Sequence, residues 1–236
     1  MNKPRILVAL ALLACASSAY GQDIRERMKQ TFPTTVIDDV QPTGVEGLYE
    51  ITTGINVIYY APSTDILIIG DIISKEGKNL SAARRKIVVA KKIEDPAILK
   101  KALKIGNGPT KVVLFTDVDC PFCRRADAFL AKRTDITLYV FFSPIASLHP
   151  AAETKTAYIL GSKDPADSYR RSQAGEFDKK PLEAEKAGIA WMTEHKAVSA
   201  SMGIKGTPVL YINGTQIVGA DLAAIDSAIS KNLVSQ

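Results

Sequence analysis

Lys111-Val112-Val113-Leu114-Phe115-Thr116 leads through Asp117-Val118-Asp119 into Cys120-Pro121-Phe122-Cys123 and a helical pattern that continues to about Lys132. The hexapeptide reads as an apolar strand of the kind buried on both faces. Pro121 falls at the first position of the helix that follows, where its missing N–H costs nothing. This strand–loop–helix order sets Cys120 at a helix N-terminus, with Cys123 one turn later on the same face and within reach of a disulfide. Unpaired backbone N–H groups and the macrodipole favour negative charge there. A thiolate is the reacting form of cysteine. The pattern predicts a redox pair in which Cys120, nearer the exposed end, attacks and Cys123 resolves.

Two other readings of the pair stay open at this point. Half of a zinc site would need two further Cys or His ligands. His149 and His195 are the available histidines, at spacings that match no familiar zinc pattern. A purely structural disulfide between residues so close closes too small a loop to brace a fold of this size. The redox reading is preferred, and it needs no cofactor and no metal.

Outward from the pair, Ile136-Thr137-Leu138-Tyr139-Val140-Phe141-Phe142 is a second strong strand. A long, mostly helical stretch runs from about Ala151 to Met202. Gly206-Thr207-Pro208 then opens strand Val209-Leu210-Tyr211-Ile212, Asn213-Gly214 signals a hairpin, and Gln216-Ile217-Val218 returns. Leu222 to Leu233 has helical apolar spacing. A proline in front of a strand can simply begin it.

Toward the N-terminus the pattern changes. Asp23 to Gln30 reads as a short polar helix. Thr35-Val36-Ile37, Leu48 to Thr52, Asn56 to Tyr60 and Ile66 to Ile69 read as strands separated by turn formers, which predicts an antiparallel sheet. A unit of about 60 residues is marginal alone, and pairing with a second copy is one remedy. Leu80 to Ile105 is helical in parts, with Asp95-Pro96 suited to start a helical turn. It reads as a linker ending at Gly106-Asn107-Gly108-Pro109, and its lysines as a solvated face in preference to a binding surface.

The first 21 residues have the layout of a secretory signal peptide. Lys3 and Arg5 precede the apolar run Ile6 to Ala14, which is too short to span a bilayer. Ala19-x-Gly21 is the expected cleavage site. Leu12-Leu13-Ala14-Cys15 partly resembles a lipobox, so lipid anchoring at Cys15 is the alternative to ordinary cleavage. Loss of Lys3 and Arg5 lowers the net charge from +5 to +3. That is too mild to indicate nucleic acid. The mature chain keeps one C-x-x-C in an oxidising compartment, a usage that suits redox work better than stapling.

The C-x-x-C and the Gly-Thr-Pro segment, in this order and about 85 residues apart, carry a resemblance to a known fold. Residues 109–236 look like a thioredoxin-fold domain with a helical insertion at about 145–202. In that fold the position of Thr207-Pro208 carries a cis-proline loop beside the cysteines, and the backbone of the preceding residue pairs with an extended substrate. With Gly47-Leu48-Tyr49-Glu50-Ile51, Ile69-Gly70-Asp71, Phe115 to Cys123 and Gly203 to Pro208, the whole arrangement resembles the DsbC/DsbG family of bacterial periplasmic disulfide isomerases.

With the signal peptide read over 1–21, the resemblance implies an α+β dimerisation domain over 22–78 with a small antiparallel sheet. A linker helix over 79–108 and an α/β thioredoxin-like redox domain over 109–236 complete the division. It also implies a V-shaped homodimer whose uncharged cleft holds misfolded exported proteins, and a DsbD-type membrane reductase that keeps the cysteines reduced. Cys120, Cys123, Thr207 and Pro208 carry over as the site. Pro121 and Phe122, where DsbC typically has Gly-Tyr, would tune it. The extra structural disulfide of some members has no cysteines here to form it.

The expected activity is disulfide isomerisation or reduction. A reductase for sulfenylated or client-specific single cysteines, slightly favoured by Pro121, and a dimeric chaperone are the alternatives. Among the remaining residues, Asp117 and Asp119 read as solvated loop carboxylates, and His149 and His195 as surface residues. Trp191 reads as packing, and Tyr59 and Tyr60 as part of the sheet that pairs subunits.

Overall fold

Two apolar faces organise the N-terminal part of the computed structural model, which describes residues 23–231. Helix α1 lies within residues 23–31. Strands β1 (Asp39–Pro42), β2 (Tyr49–Thr53), β3 (Asn56–Ala61) and β4 (Ile66–Ile68) follow, and helix α2 (Leu80–Ile93) comes after them. The strands form one antiparallel sheet in the order β1-β2-β3-β4. Successive residues of a strand point to opposite faces, and β3 uses both. Tyr60 packs with Ile51 and with Ile24 and Met28 of α1. Val57 and Tyr59 pack with Val88 of α2. The helix read as polar therefore carries an apolar edge.

The expected strand at Thr35-Val36-Ile37 is not formed. The ladder begins at Asp39, opposite Thr52. Val36 is exposed, and the Ile37 carbonyl takes the Arg25 guanidinium at 2.5 Å instead of a strand partner. The signal peptide, its cleavage site and Cys15 lie outside the described residues.

Contacts divide the chain into two units, one up to Val88 and the other from Val89. In the second, α3 (Pro96–Leu99), β5 (Leu103–Ile105), β6 (Thr110–Thr116), α4 (Pro121–Leu130) and β7 (Ile136–Phe142) come first. Three helices follow, α5 (Ala152–Gly161), α6 (Pro165–Gln173) and α7 (Lys186–Ser201), and then β8 (Val209–Ile212), β9 (Thr215–Val218) and α8 (Leu222–Ser230). The sheet order is β5-β7-β6-β8-β9. Among the described strand pairs of this sheet only β6–β7 is parallel, and α4 makes its crossover.

Strand β6 is central and buried from Val112 to Thr116, so its sequence runs apolar without alternation. Its C-terminal end, a central position beside helix termini, is where the cysteines emerge. Leu103–Ile105, inside the segment read as linker, forms one edge of this sheet, with Leu103 opposite Val140. Three residues centred on Lys104 are too short a pattern to read as a strand.

Candidate active site

The loop Asp117–Asp119 turns the chain from β6 into α4. Cys120 is the N-cap of α4 with extended backbone (φ −76°, ψ 122°), and Pro121 follows in the first turn. The Cys120 N–H donates to the Asp117 carbonyl at 3.1 Å, and its own carbonyl accepts from Arg124 N–H at 3.1 Å. Cys120 is 7% exposed and Cys123 is fully buried, and both are free thiols. The Thr207–Pro208 peptide bond is cis. The Cys120 thiol donates to the Thr207 carbonyl, with Sγ 3.8 Å from the oxygen. Cys120, Cys123, Thr207 and Pro208 are thus brought together from two segments far apart in sequence. Phe122 points outward from the pair and is 60% exposed.

The two thiols differ in surroundings. Burial pushes the Cys123 thiol up to about 12, against weaker opposing contributions from Thr207, the Asp117 N–H and Thr116. The Asp117 N–H lies 3.4 Å from Cys123 Sγ and donates to it. Cys123 is therefore a protonated reserve thiol at neutral pH, while Cys120 sits where the first-turn N–H groups of α4 are unpaired.

Four side chains read as solvated turn out to be built into the site and its support. Asp117 is fully buried. Its carboxylate accepts the N–H of Asp119 at 3.0 Å, the N–H of Ile145 at 2.8 Å and His149 Nδ1–H at 2.9 Å. His149 is accordingly a partner of the cysteine loop and not a free surface residue. His195 is buried too, stacked on Phe142. Its Nδ1 accepts from the Phe142 N–H at 3.0 Å, so the proton resides on Nε2, which donates to the Lys101 carbonyl at 2.8 Å. Burial lowers this imidazole to about 4. Trp191 Nε1–H reaches the same carbonyl at 2.6 Å, which fits its packing role. Asp119 is held by Arg124 and Lys155.

Sequence reasoning missed Lys155, Arg124, Asp178, Asp127 and Tyr169 beside the pair. Asp127 lies one turn beyond Cys123 on the buried side of α4, and burial raises its carboxyl to about 6. Helical spacing from Cys123 was the available signal for it. Lys155 carried none. Among the described residues, no three His, Cys, Asp or Glu side chains converge in a metal-binding cluster. Nor is any described helix long and apolar enough to cross a membrane.

A buried and a near-surface thiol at a strand–helix junction, facing a cis-proline loop across a mixed sheet, define a thiol:disulfide oxidoreductase of the thioredoxin fold. Residues 99–229 match the thioredoxin-like domain family, and residues 14–82 match the disulfide bond isomerase protein N-terminal domain. The chain belongs to the thioredoxin-like family, and the two domains together give it the DsbC/DsbG arrangement.

Two curated relatives are similar over most of their length. The probable thiol:disulfide interchange protein DsbC of Bordetella pertussis (strain Tohama I) is 24% identical over 221 residues, 92% of this chain and 77% of that protein. The thiol:disulfide interchange protein DsbC of Escherichia coli (strain K12) is 23% identical over 218 residues, 89% of each. A solved disulfide interchange protein from Neisseria gonorrhoeae shares 35% identity over 57% of this chain and 96% of its own, with a TM-score of 0.48.

Proposed function

We propose that the protein is a periplasmic disulfide isomerase and reductase acting on exported proteins with non-native disulfides. The observation that carries this reading is the pairing of Cys120, at the N-cap of α4, with the Thr207 carbonyl of the cis-proline loop. Cys120 thiolate attacks one sulfur of a client disulfide. The client S–S bond breaks, its other sulfur leaves as a thiolate, and a mixed disulfide forms. A second client thiol then displaces Cys120, which completes an isomerisation with no net redox change. Alternatively Cys123 loses its proton and attacks Cys120 Sγ. The client leaves reduced, and the Cys120–Cys123 disulfide takes up the oxidation. A DsbD-type membrane reductase would return the pair to dithiol.

Thr207 and Pro208 would hold the client backbone, and Pro121 and Phe122 would tune the site. Export by the N-terminal signal, with lipid anchoring at Cys15 as the lesser alternative, would deliver the chain to the periplasm. Two copies would pair through their N-terminal domains. Ile66, Ile68 and Ile69, exposed on and after the edge strand β4, support that pairing.

Refolding of scrambled ribonuclease tests the reading. The protein should restore activity faster than glutathione alone, and Cys120→Ala should abolish the gain. No gain over glutathione would refute isomerisation. Trapping with Cys123→Ala separates a general isomerase from a dedicated reductase, since a single dominant mixed disulfide indicates the latter.

A further inference from the structure

Lys155 is an oddity of the second unit. Lysine is almost never fully buried without a partner, yet this one, on α5 of the helical insertion, is 4% exposed. Burying a cation costs several kcal/mol unless opposite charge and hydrogen bonds surround it. Its ammonium donates to Asp119 Oδ1, and to Asp178 Oδ1 at 3.1 Å. Asp119 immediately precedes the nucleophilic cysteine in sequence. The second cation of the group, Arg124, immediately follows Cys123. Its guanidinium donates to both Asp178 oxygens, at 2.7 and 2.5 Å, and to Asp119 Oδ1 at 3.4 Å, while its Nε–H holds the Val118 carbonyl at 3.0 Å. The result is a closed group of two cations and two carboxylates, each carboxylate contacted by both cations. It ties the cysteine loop and the first turn of α4 to the insertion.

The charge count decides what this group does for the chemistry. The loop ahead of Cys120 carries two carboxylates, Asp117 and Asp119, within three residues of a sulfur that must become an anion. Like charges so close disfavour ionisation. Asp117 is answered by two backbone N–H groups and His149. Asp119 is answered only through Arg124 and Lys155, and Arg124 is shared with Asp178. Other titratable groups near the pair are Cys123 on α4, with Asp127 and Tyr169 beyond it, the exposed Arg125 on the same helix, and the exposed Lys205 two residues before Thr207. With Lys155 in place the group of four is neutral. Without it, one uncompensated negative charge remains beside the nucleophile.

We infer that Lys155 is a positioning residue for the reaction: it neutralises and fixes Asp119, so that no uncompensated negative charge stands beside the Cys120 sulfur when it attacks. The inference rests on the proposed role of Cys120 as nucleophile, and it assigns the helical insertion an electrostatic part in the chemistry.

Alkylation of Cys120 by iodoacetamide, followed against pH in the full chain with Cys123→Ala, reads the thiolate directly. Lys155→Met should slow alkylation at pH 6 by about threefold to tenfold, the size expected for one neighbouring unit charge. At high pH, where the rate no longer rises with pH in either protein, the rates should converge. Lys155→Arg should stay close to the parent protein. A merely structural role would change the rate by the same factor at every pH, and that result would overturn the inference. If Lys155→Met does not fold, Asp119→Asn serves instead, because it leaves Lys155 paired with Asp178. It should speed alkylation at pH 6 by about threefold, and an unchanged rate would equally overturn the inference. Failure of ribonuclease isomerisation with a shifted alkylation profile would count against the proposed function alone. Intact isomerisation with an unmoved profile would count against Lys155 alone.

Discussion

The backbone N–H of Asp117 donates to Cys123 Sγ at 3.4 Å, while the side chain of the same residue accepts from Asp119, Ile145 and His149. One residue therefore touches the buried Cys123 sulfur, shapes its own loop and anchors the β7–α5 connection. Two of the three groups that donate to its carboxylate are backbone N–H groups with no alternative partner nearby, and each lost bond of this kind costs about 1 kcal/mol. Asp117→Ala should lower the unfolding free energy by about 3 kcal/mol in urea titrations. His149→Ala, which removes one partly exposed donor, should cost about 1 kcal/mol. Equal losses for the two variants would show that the backbone bonds contribute nothing.

His195 makes stability depend on acid. Its folded-state value of about 4 lies below the unfolded value of about 6.5 because burial disfavours the imidazolium. Protonation would also set a second N–H against the Phe142 N–H. Between these values the unfolded chain binds more protons, so stability falls as pH drops from about 6.5 through about 4. The loss approaches about 3 kcal/mol. His195→Gln, which retains a donor and an acceptor, should flatten this slope in unfolding curves measured at pH 7, 5.5 and 4. A slope identical to that of the parent would assign the acid sensitivity elsewhere.

Asp127 acts in the opposite sense. Burial raises its carboxyl to about 6, against about 3.9 in the unfolded chain. Here the folded state binds more protons, so stability is lost as pH rises through this window, by about 3 kcal/mol in all. Asp127→Asn removes the ionisation. It should stabilise the protein by about 2–3 kcal/mol at pH 7.5 and change little at pH 4. Thermal melts at the two pH values would decide, and equal effects at both would exclude a charge origin.

How much of this was legible depended on how local each determinant is. Pro121 after Cys120, the unbroken apolar run of β6 and Asn213-Gly214 between β8 and β9 each specify their structure within a few residues, and they sit where the sequence puts them. The most distant partners of Asp117 and Lys155, His149 and Asp119, lie 32 and 36 residues away along the chain. Nothing in a single sequence distinguishes Lys155 from the solvated lysines around it. His195 looked exposed for the same reason, since its acceptor at Lys101 is 94 residues distant. The N-terminal sheet was legible in kind but shifted at its first strand. There the apolar Val36 drew the assignment, whereas the ladder is built on Asp39 to Pro42.

Gly188 tests whether the insertion supports the site as well as filling space. On α7 it crosses Gly161 of α5 so closely that a Cβ would stand 2.0 Å from the Ala157 carbonyl oxygen and 2.7 Å from the Gly161 nitrogen. No rotamer relieves a clash of Cβ with backbone, so the helices must part. Gly188→Ala should therefore destabilise by about 3 kcal/mol, the upper end for overpacking, despite the better helix propensity of alanine. Gly161→Ala meets its nearest atom at 3.3 Å, so about 1 kcal/mol of propensity gain should roughly offset a small displacement. Because α5 carries Lys155, parting α5 from α7 should also weaken the hold on Asp119. In the Cys123→Ala background, Gly188→Ala should slow Cys120 alkylation at pH 6 more than at pH 9.5, and Gly161→Ala should not. Destabilisation by Gly188→Ala with no change in that ratio would mean that α5 keeps its place over the cysteine loop without α7.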